Sequence, residues 1–318
     1  MGRVLITGAR GFIGTHLARR LAACGHDVIG VGHGQWPPES AHRDGVVNWI
    51  NGGVNATNLQ LACAGGPPPE RVYHLAGGSS VGVALANPRE DFFKTVASTA
   101  DLLEWLRTDA PRARLIAISS AAVYGAGHDG AIGEDVRLKP YSPYGHHKAM
   151  MEAMCGSYAD SYGLEVVIAR LFSVYGDGLR KQLLWDLCNR LSTGVPVLQI
   201  GGTGGERRDW TEVGDVARAL DLIGGADDVV GTAINVGRGE GVEVREIAAH
   251  VMDIWKKESD GATTSLGLSG ISRPGDPSNL VADSRRLSAL GFEWQVGLYE
   301  GLTSYVRWFR RELGRSST

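Results

Sequence analysis

Cysteine and lysine are both scarce in this chain of 318 residues. The four cysteines, Cys24, Cys63, Cys155 and Cys188, show no C-x-x-C spacing and sit in apolar or helical contexts. That excludes a disulfide framework and a thiolate metal centre, and predicts reduced, mostly buried thiols. His33, His146 and His147 lack a third ligand at a sensible spacing, so no metal site is expected. Excess charge of one sign is also missing. A net charge of −3 offers no basic surface, which argues against nucleic acid and anionic membrane as partners. There is no run of about 18 apolar residues. The first strand is expected at Arg3, leaving no room for a signal peptide, so the expected location is cytoplasmic. No internal repeat or low-complexity tract occurs, and "GGPPPE" (65–70) reads as a loop before a strand.

What is present is a globular balance, 43% hydrophobic and 21% charged, enough to bury a large core. The first half alternates short β-branched strands ("RVLITG", "DVIGVG", "GVVNWI", "RVYHLAG", "RLIAISSAAVYG", "EVVIARLFSVYG") with helices, including one around Pro88 to Asp109 and one after Pro143. Short continuous strands covered by helices on both faces predict an α/β fold with a doubly wound parallel Rossmann sheet. The expected division is a dinucleotide-binding domain over 1–175 and a smaller, interleaved substrate lobe over 176–318. Elements near 210–240 are expected to return to the sheet.

The first strand runs into Gly8, Gly11 and Gly14, spaced G-x-x-G-x-x-G, and then into a helical pattern. Gly8 suits a tight turn, Gly11 lets the backbone approach a pyrophosphate, and Gly14 lets the helix lie close to the sheet. A second constellation is Tyr144 and Lys148, Y-x-x-x-K on the first turns of a helix and therefore on one face. With only six lysines in the chain, chance would supply well under one such pair. The strand ending "ISSAAVYG" presents Ser119 and Ser120 at the carboxyl end of the sheet, where open α/β sheets bind ligands. A tyrosine works as acid or base near neutrality only if nearby positive charge stabilises its phenolate, and a serine hydroxyl can hold a reacting carbonyl oxygen.

In these motifs, and in "PYGHHK", "ARLFSVYG", "RDWTEVGDVARA", "NVG" and "RPGDPSNLVAD" in the same order, the chain resembles the extended short-chain dehydrogenase/reductases, the NAD(P)-dependent nucleotide-sugar epimerase/reductase/dehydratase family. The resemblance covers nearly the whole length. It implies Ser120, Tyr144 and Lys148 as the catalytic residues. It places cofactor contacts in the turn at Gly8, Arg10, Gly11, Phe12, Ile13 and Gly14. Others are implied at His33, at Leu75, Ala76 and Gly77, at Thr95 and Ser119, and at Tyr144 and Lys148 themselves. Ser79, Ser120, Ser173, Arg208 and Arg273 are the implied contacts to a nucleotide-sugar substrate, the two arginines on its diphosphate.

Departures from the family pattern carry information. Ala121 and Ala122 stand where dehydratases have an acidic pair, which disfavours elimination of water, while Ser173 and Thr95 replace usual asparagines. The second strand ends in Gly32 and His33 with no carboxylate for a ribose, and Arg10 lies in the glycine turn within reach of a 2′-phosphate. The expectation is therefore NADP(H), with NAD(H) as the alternative. That tilts the function toward a 4-keto-sugar nucleotide reductase. A nucleotide-sugar 4-epimerase is the alternative, and a catalytically inactive dinucleotide-binding scaffold the third reading. A homodimer through the Pro88–Asp109 and Tyr144–Tyr162 helices is expected from Phe92, Phe93, Leu102, Leu103, Leu106, Met150, Met151, Met154 and Tyr158.

Overall fold

The computed structural model describes residues 2–258, 264–271 and 277–316. Strands β1 (Arg3–Thr7), β2 (Asp27–Gly32), β3 (Val46–Asn51), β4 (Arg71–His74), β5 (Arg114–Ser120) and β6 (Val166–Leu171) come from the first half of the chain. The remainder supplies β7 (Ser173–Tyr175), β8 (Val197–Ile200), β9 (Arg207–Glu212), β10 (Ala233–Val236), β11 (Gly241–Glu243), β12 (Ser265–Leu268) and β13 (Asn279–Leu280). The main sheet is seven-stranded, in the order β10-β6-β5-β4-β1-β2-β3, and every pairing in it is parallel. The chain winds outward through β2 and β3, then reverses through β4, β5 and β6. The switch lies between β1 and β4, and a crevice opens outside the carboxyl ends of these two strands.

Alternation along the strands sends side chains to two helical layers. Val4, Ile6, Tyr73 and Ile116 face Leu17 and Leu21 of the Phe12–Ala23 helix and Val216, Leu220 and Ile223 of the Val213–Gly225 helix. Leu5, Val72 and Leu115 face Leu102, Leu103, Leu106 and Met151 on the other side. Those last four are fully buried, so they serve the sheet and are removed from the expected dimer face. Phe92, Phe93 and Met150 remain exposed.

Two elements differ from the sequence expectation. The Pro88–Asp109 helix is interrupted by a π-helical turn at Phe93–Ala97 between helices Pro88–Phe92 and Ser98–Asp109. Such wide turns cluster at functional sites, and this one carries Thr95. The run "EVVIARLFSVYG" is also not one strand. It breaks at Phe172, and β7 leaves the main sheet to pair with β9. Strands β11, β9, β13 and β7 form a second sheet, and β12 pairs with β8. Helices Gln182–Ser192, Val244–Glu258 and Leu298–Ser316 close a third core around Leu187, Val251, Leu302 and Phe309. Among the described residues no helix is long and apolar enough to cross a membrane.

Candidate active site

A cleft of about 1140 Å³ runs from the glycine turn, across the carboxyl ends of β4 and β5, to β7 and β9. That is larger than one drug-sized ligand needs. At its first end Gly8 holds φ 76° and donates its N–H to Val31 O at 2.7 Å. A Cβ on Gly14 would meet the Gly8 carbonyl oxygen and stand 2.9 Å from Ala9 Cα, so only glycine lets this helix approach the strand so closely. The helix that follows has Gly11 at its N-cap, no side chain capping it and no acid in its first turn. Its free N–H groups, at Phe12 and Ile13 among others, are an anion site in geometry and charge, and the residues present fit a dinucleotide pyrophosphate.

Beyond the turn, Arg10 and His33 are exposed and line the cleft with Gly32 and Trp49. The Arg10 guanidinium lies across the space where a Cβ on Gly34 would stand. Asn51 Oδ1 accepts from Gly34 N at 2.9 Å. None of the cleft-lining residues at this end, Gly32, His33, Trp49 and Gly52 to Val54, carries a carboxylate.

Leu75, Ala76 and Gly77 continue β4 along the cleft floor. Thr95 is buried and accepts a 2.8 Å bond from Gly78 N. This contact explains the wide helical turn, which carries the hydroxyl to the backbone after β4. The three residues expected to do chemistry converge in the middle of the cleft. Lys148 is 3% exposed and donates to Ile118 O at 2.7 Å, and its Nζ would lie 3.3 Å from a Cβ on Gly77. Burial pulls its pKa down to about 8, against the opposing charges of Asp91 and Glu152. Burial pushes the Tyr144 phenol up, while the neighbouring Ser120 hydroxyl lowers it. Ser120 Oγ also accepts from Ala122 N at 3.2 Å.

Ser119 behaves differently from its neighbour. It is buried, and its hydroxyl donates to Glu152 at 2.5 Å. Glu152 in turn forms a buried ion pair with Arg170 at 2.7 Å, and Arg170 donates to Tyr124 at 3.0 Å. Ser119 thus anchors the end of β5 through Glu152 while lining the cleft beside Ser120. Glu152 was not among the expected residues. Its signal was its place four residues after Lys148, on the same helix face. Asp91 was missed as well. It is 3% exposed, bonded to His147 at 2.5 Å, and it faces Gly78.

On the far wall, Ser79, Ser173 and Arg208 line the cleft. Arg208 is held on β9 next to Asp209, which is fully buried and accepts from the backbone of Arg238, Gly239 and Ala282 at 2.8, 2.8 and 3.1 Å. Arg273 lies outside the described residues.

The model of the NAD dependent epimerase/dehydratase family matches residues 4–237, and the chain belongs to that family. The uncharacterized UDP-glucose epimerase YtcB of Bacillus subtilis (strain 168) is 28% identical over 316 residues, covering 96% of each chain. The structure of MoeE5 in complex with UDP-glucuronic acid and NAD is 32% identical with a TM-score of 0.83, covering 98% of this chain and all of that one. The UDP-glucuronic acid 4-epimerase of Bacillus cereus, also with UDP-glucuronic acid and NAD, is 26% identical with a TM-score of 0.84, covering 98% of this chain and 99% of that one.

Proposed function

We propose that this protein is an NAD-dependent 4-epimerase of a UDP-activated hexose. The observation that carries the reading is the meeting of Tyr144, Lys148 and Ser120 in one cleft with the glycine turn, beside Ala121 and Ala122. Epimerisation needs one base, one holder for the sugar oxygen and one redox partner used in both directions. Elimination needs a further acid and base, and the alanines supply neither. The family's epimerases, and NAD in the solved neighbours, favour the epimerase over the reductase expected from the sequence.

A nicotinamide dinucleotide, held by the turn from Gly8 to Gly14 and by Leu75, Ala76 and Gly77, supplies reversible two-electron oxidation of C4. The chain's own residues manage the proton. Tyr144 takes it from the sugar 4-hydroxyl as the C4 carbonyl forms, and returns it to that oxygen once hydrogen is restored to the other face of the ring. Lys148 lends positive charge to the phenolate, and Ser120 donates to the sugar oxygen. Arg208 grips the diphosphate. The test is incubation of the purified protein with UDP-glucose and UDP-glucuronate, with and without added NAD, read by proton NMR at C4. C4 epimers forming with no net consumption of cofactor are expected. A 4-keto product, or none, would overturn the reading.

One observation favours NADP(H) as a second reading of the cofactor: Arg10 lies across Gly34 at a carboxylate-free end of β2. Titration of NAD and NADP into wild type and Arg10→Ala separates the two. Under the second reading NADP binds more tightly and loses that advantage in the variant.

The proposed partner is a second copy of this chain, seated on exposed Phe92, Phe93 and Met150. Light scattering at micromolar concentration should show a dimer, and a monomer would refute it.

A further inference from the structure

Lys181, next to the start of the Gln182–Ser192 helix, is a half-buried cation that lines the cleft and forms no ion pair among the described residues. Its Nζ donates one long bond, 3.4 Å, to the Ser79 carbonyl. Among the described residues no carboxylate lies within ion-pairing distance of it, and burial alone lowers its pKa. Its neighbour Arg180 is satisfied elsewhere, paired with Glu312 and stacked over Trp308. Gln182, at φ 66°, is the one non-glycine residue with positive φ among those described. Strain of this kind is kept where surrounding structure needs a side chain held in place.

The position of the ammonium group limits what it can meet. Ser79, its acceptor, is two residues from Gly77, where a Cβ would stand 3.3 Å from the Lys148 amino group. Lys181 thus lines the same cleft as Tyr144 and Lys148, and is tied to the segment after β4 that passes Lys148, whereas the diphosphate is assigned to Arg208. The cleft is also lined by Ser79, Ser80, Ser120, Ser173 and Tyr141, whose hydroxyls suit neutral sugar oxygens. The ring substituent nearest C4 that can carry a negative charge is the one at C6. A neutral CH₂OH there leaves a half-desolvated ammonium without a partner, and a carboxylate removes that cost.

We propose that Lys181 binds the C6 carboxylate of a UDP-hexuronate and selects it over the neutral UDP-hexose. The inference rests on the epimerase reading for which carbon reacts, but its test reads binding separately from turnover. UDP-glucuronate and UDP-glucose are titrated calorimetrically into NAD-loaded wild type, Lys181→Met and Lys181→Arg, and turnover of both is followed alongside. Wild type should bind UDP-glucuronate at least about tenfold more tightly. Lys181→Met should lose about 10- to 100-fold for UDP-glucuronate and lose far less for UDP-glucose, and Lys181→Arg should restore most of the difference. Equal losses for both nucleotides would put Lys181 on the diphosphate and overturn the proposal. A fall in NAD affinity would put it on the cofactor and overturn the proposal too. A wild type that binds the two equally also overturns it. Selective binding that Lys181→Met abolishes, with no turnover of either nucleotide, supports the lysine's role and sinks the epimerase reading. Turnover without selectivity does the reverse.

Discussion

The two walls of the cleft are built differently. On the side proposed for the cofactor the wall is built from backbone: Gly8 and Gly14 bring a helix end against a strand, and its free N–H groups would do the binding. On the side proposed for the substrate it is built from side chains on short strands and loops. Arg208 stands on a strand fixed by buried Asp209, and Lys181 sits beside a strained residue. A backbone site tolerates almost no change at its glycines. A side-chain site can change its ligand one residue at a time. The chemistry of Tyr144, Lys148 and Ser120 lies between the two, on the rigid ends of β5 and the Pro143–Tyr162 helix.

The largest effect expected is on that middle ground. Tyr144→Phe should lower kcat by roughly 10²–10⁴ while NAD affinity and melting temperature stay near wild type, because a phenyl ring fills the same space. Steady-state rates with a cofactor titration check this. Arg208→Ala should raise KM for the UDP-sugar about 10- to 100-fold through loss of a charge-assisted contact and leave the cofactor Kd alone. Losses on both ligands would mean that the two walls are not separable.

The glycines sharpen the comparison by stability. Gly14→Ala should cost about 1–3 kcal/mol by overpacking and weaken the cofactor, since its Cβ meets the backbone of Gly8 and Ala9. Gly53→Ala, with nothing within 4 Å of its Cβ, should shift the melting temperature hardly at all. Thermal unfolding of the two variants together is the check.

The smallest effect is on pH dependence. Lys148 titrates near 8 in the folded protein against an ordinary 10.5, so between these values the unfolded chain holds more protons and stability rises with pH. Below about pH 8 the lysine is charged in both states, and burying that charge is a standing cost. Lys148→Met should therefore be inactive yet melt higher than wild type at pH 7, with the difference shrinking as pH rises toward 10.5. Calorimetry across pH 7 to 10 reads this, and a variant that melts lower at pH 7 would refute it.

How far the sequence could be read follows the same division. The strand–turn–helix at Val4 to Leu21 and the Tyr144/Lys148 pair are local patterns. Periodicity and spacing expose them, and the structure brings them to the same cleft. The break at Phe172 that sends β7 to β9 was not legible, because it depends on a partner strand more than thirty residues away in sequence and interrupts no apolar pattern. The wide turn at Phe93–Ala97 was hidden for a similar reason: it serves a bond from Gly78 to Thr95 that no helical period records. Leu102, Leu103 and Leu106 looked available to a partner because periodicity does not say which apolar face meets the sheet. Lys181 and Asp91 were missed because a lone charged residue in a loop or short helix has no pattern at all. Only its burial and its neighbours mark it.

The central claim is that one base and one returning redox partner invert C4. It is tested most directly by supplying UDP-hexose deuterated at C4 and following the label in the product. Deuterium retained at C4 of both epimers, with no stoichiometric loss of added cofactor, is the predicted result. Product formation that consumes one reduced cofactor per sugar, or label lost from C4 to water, would contradict it.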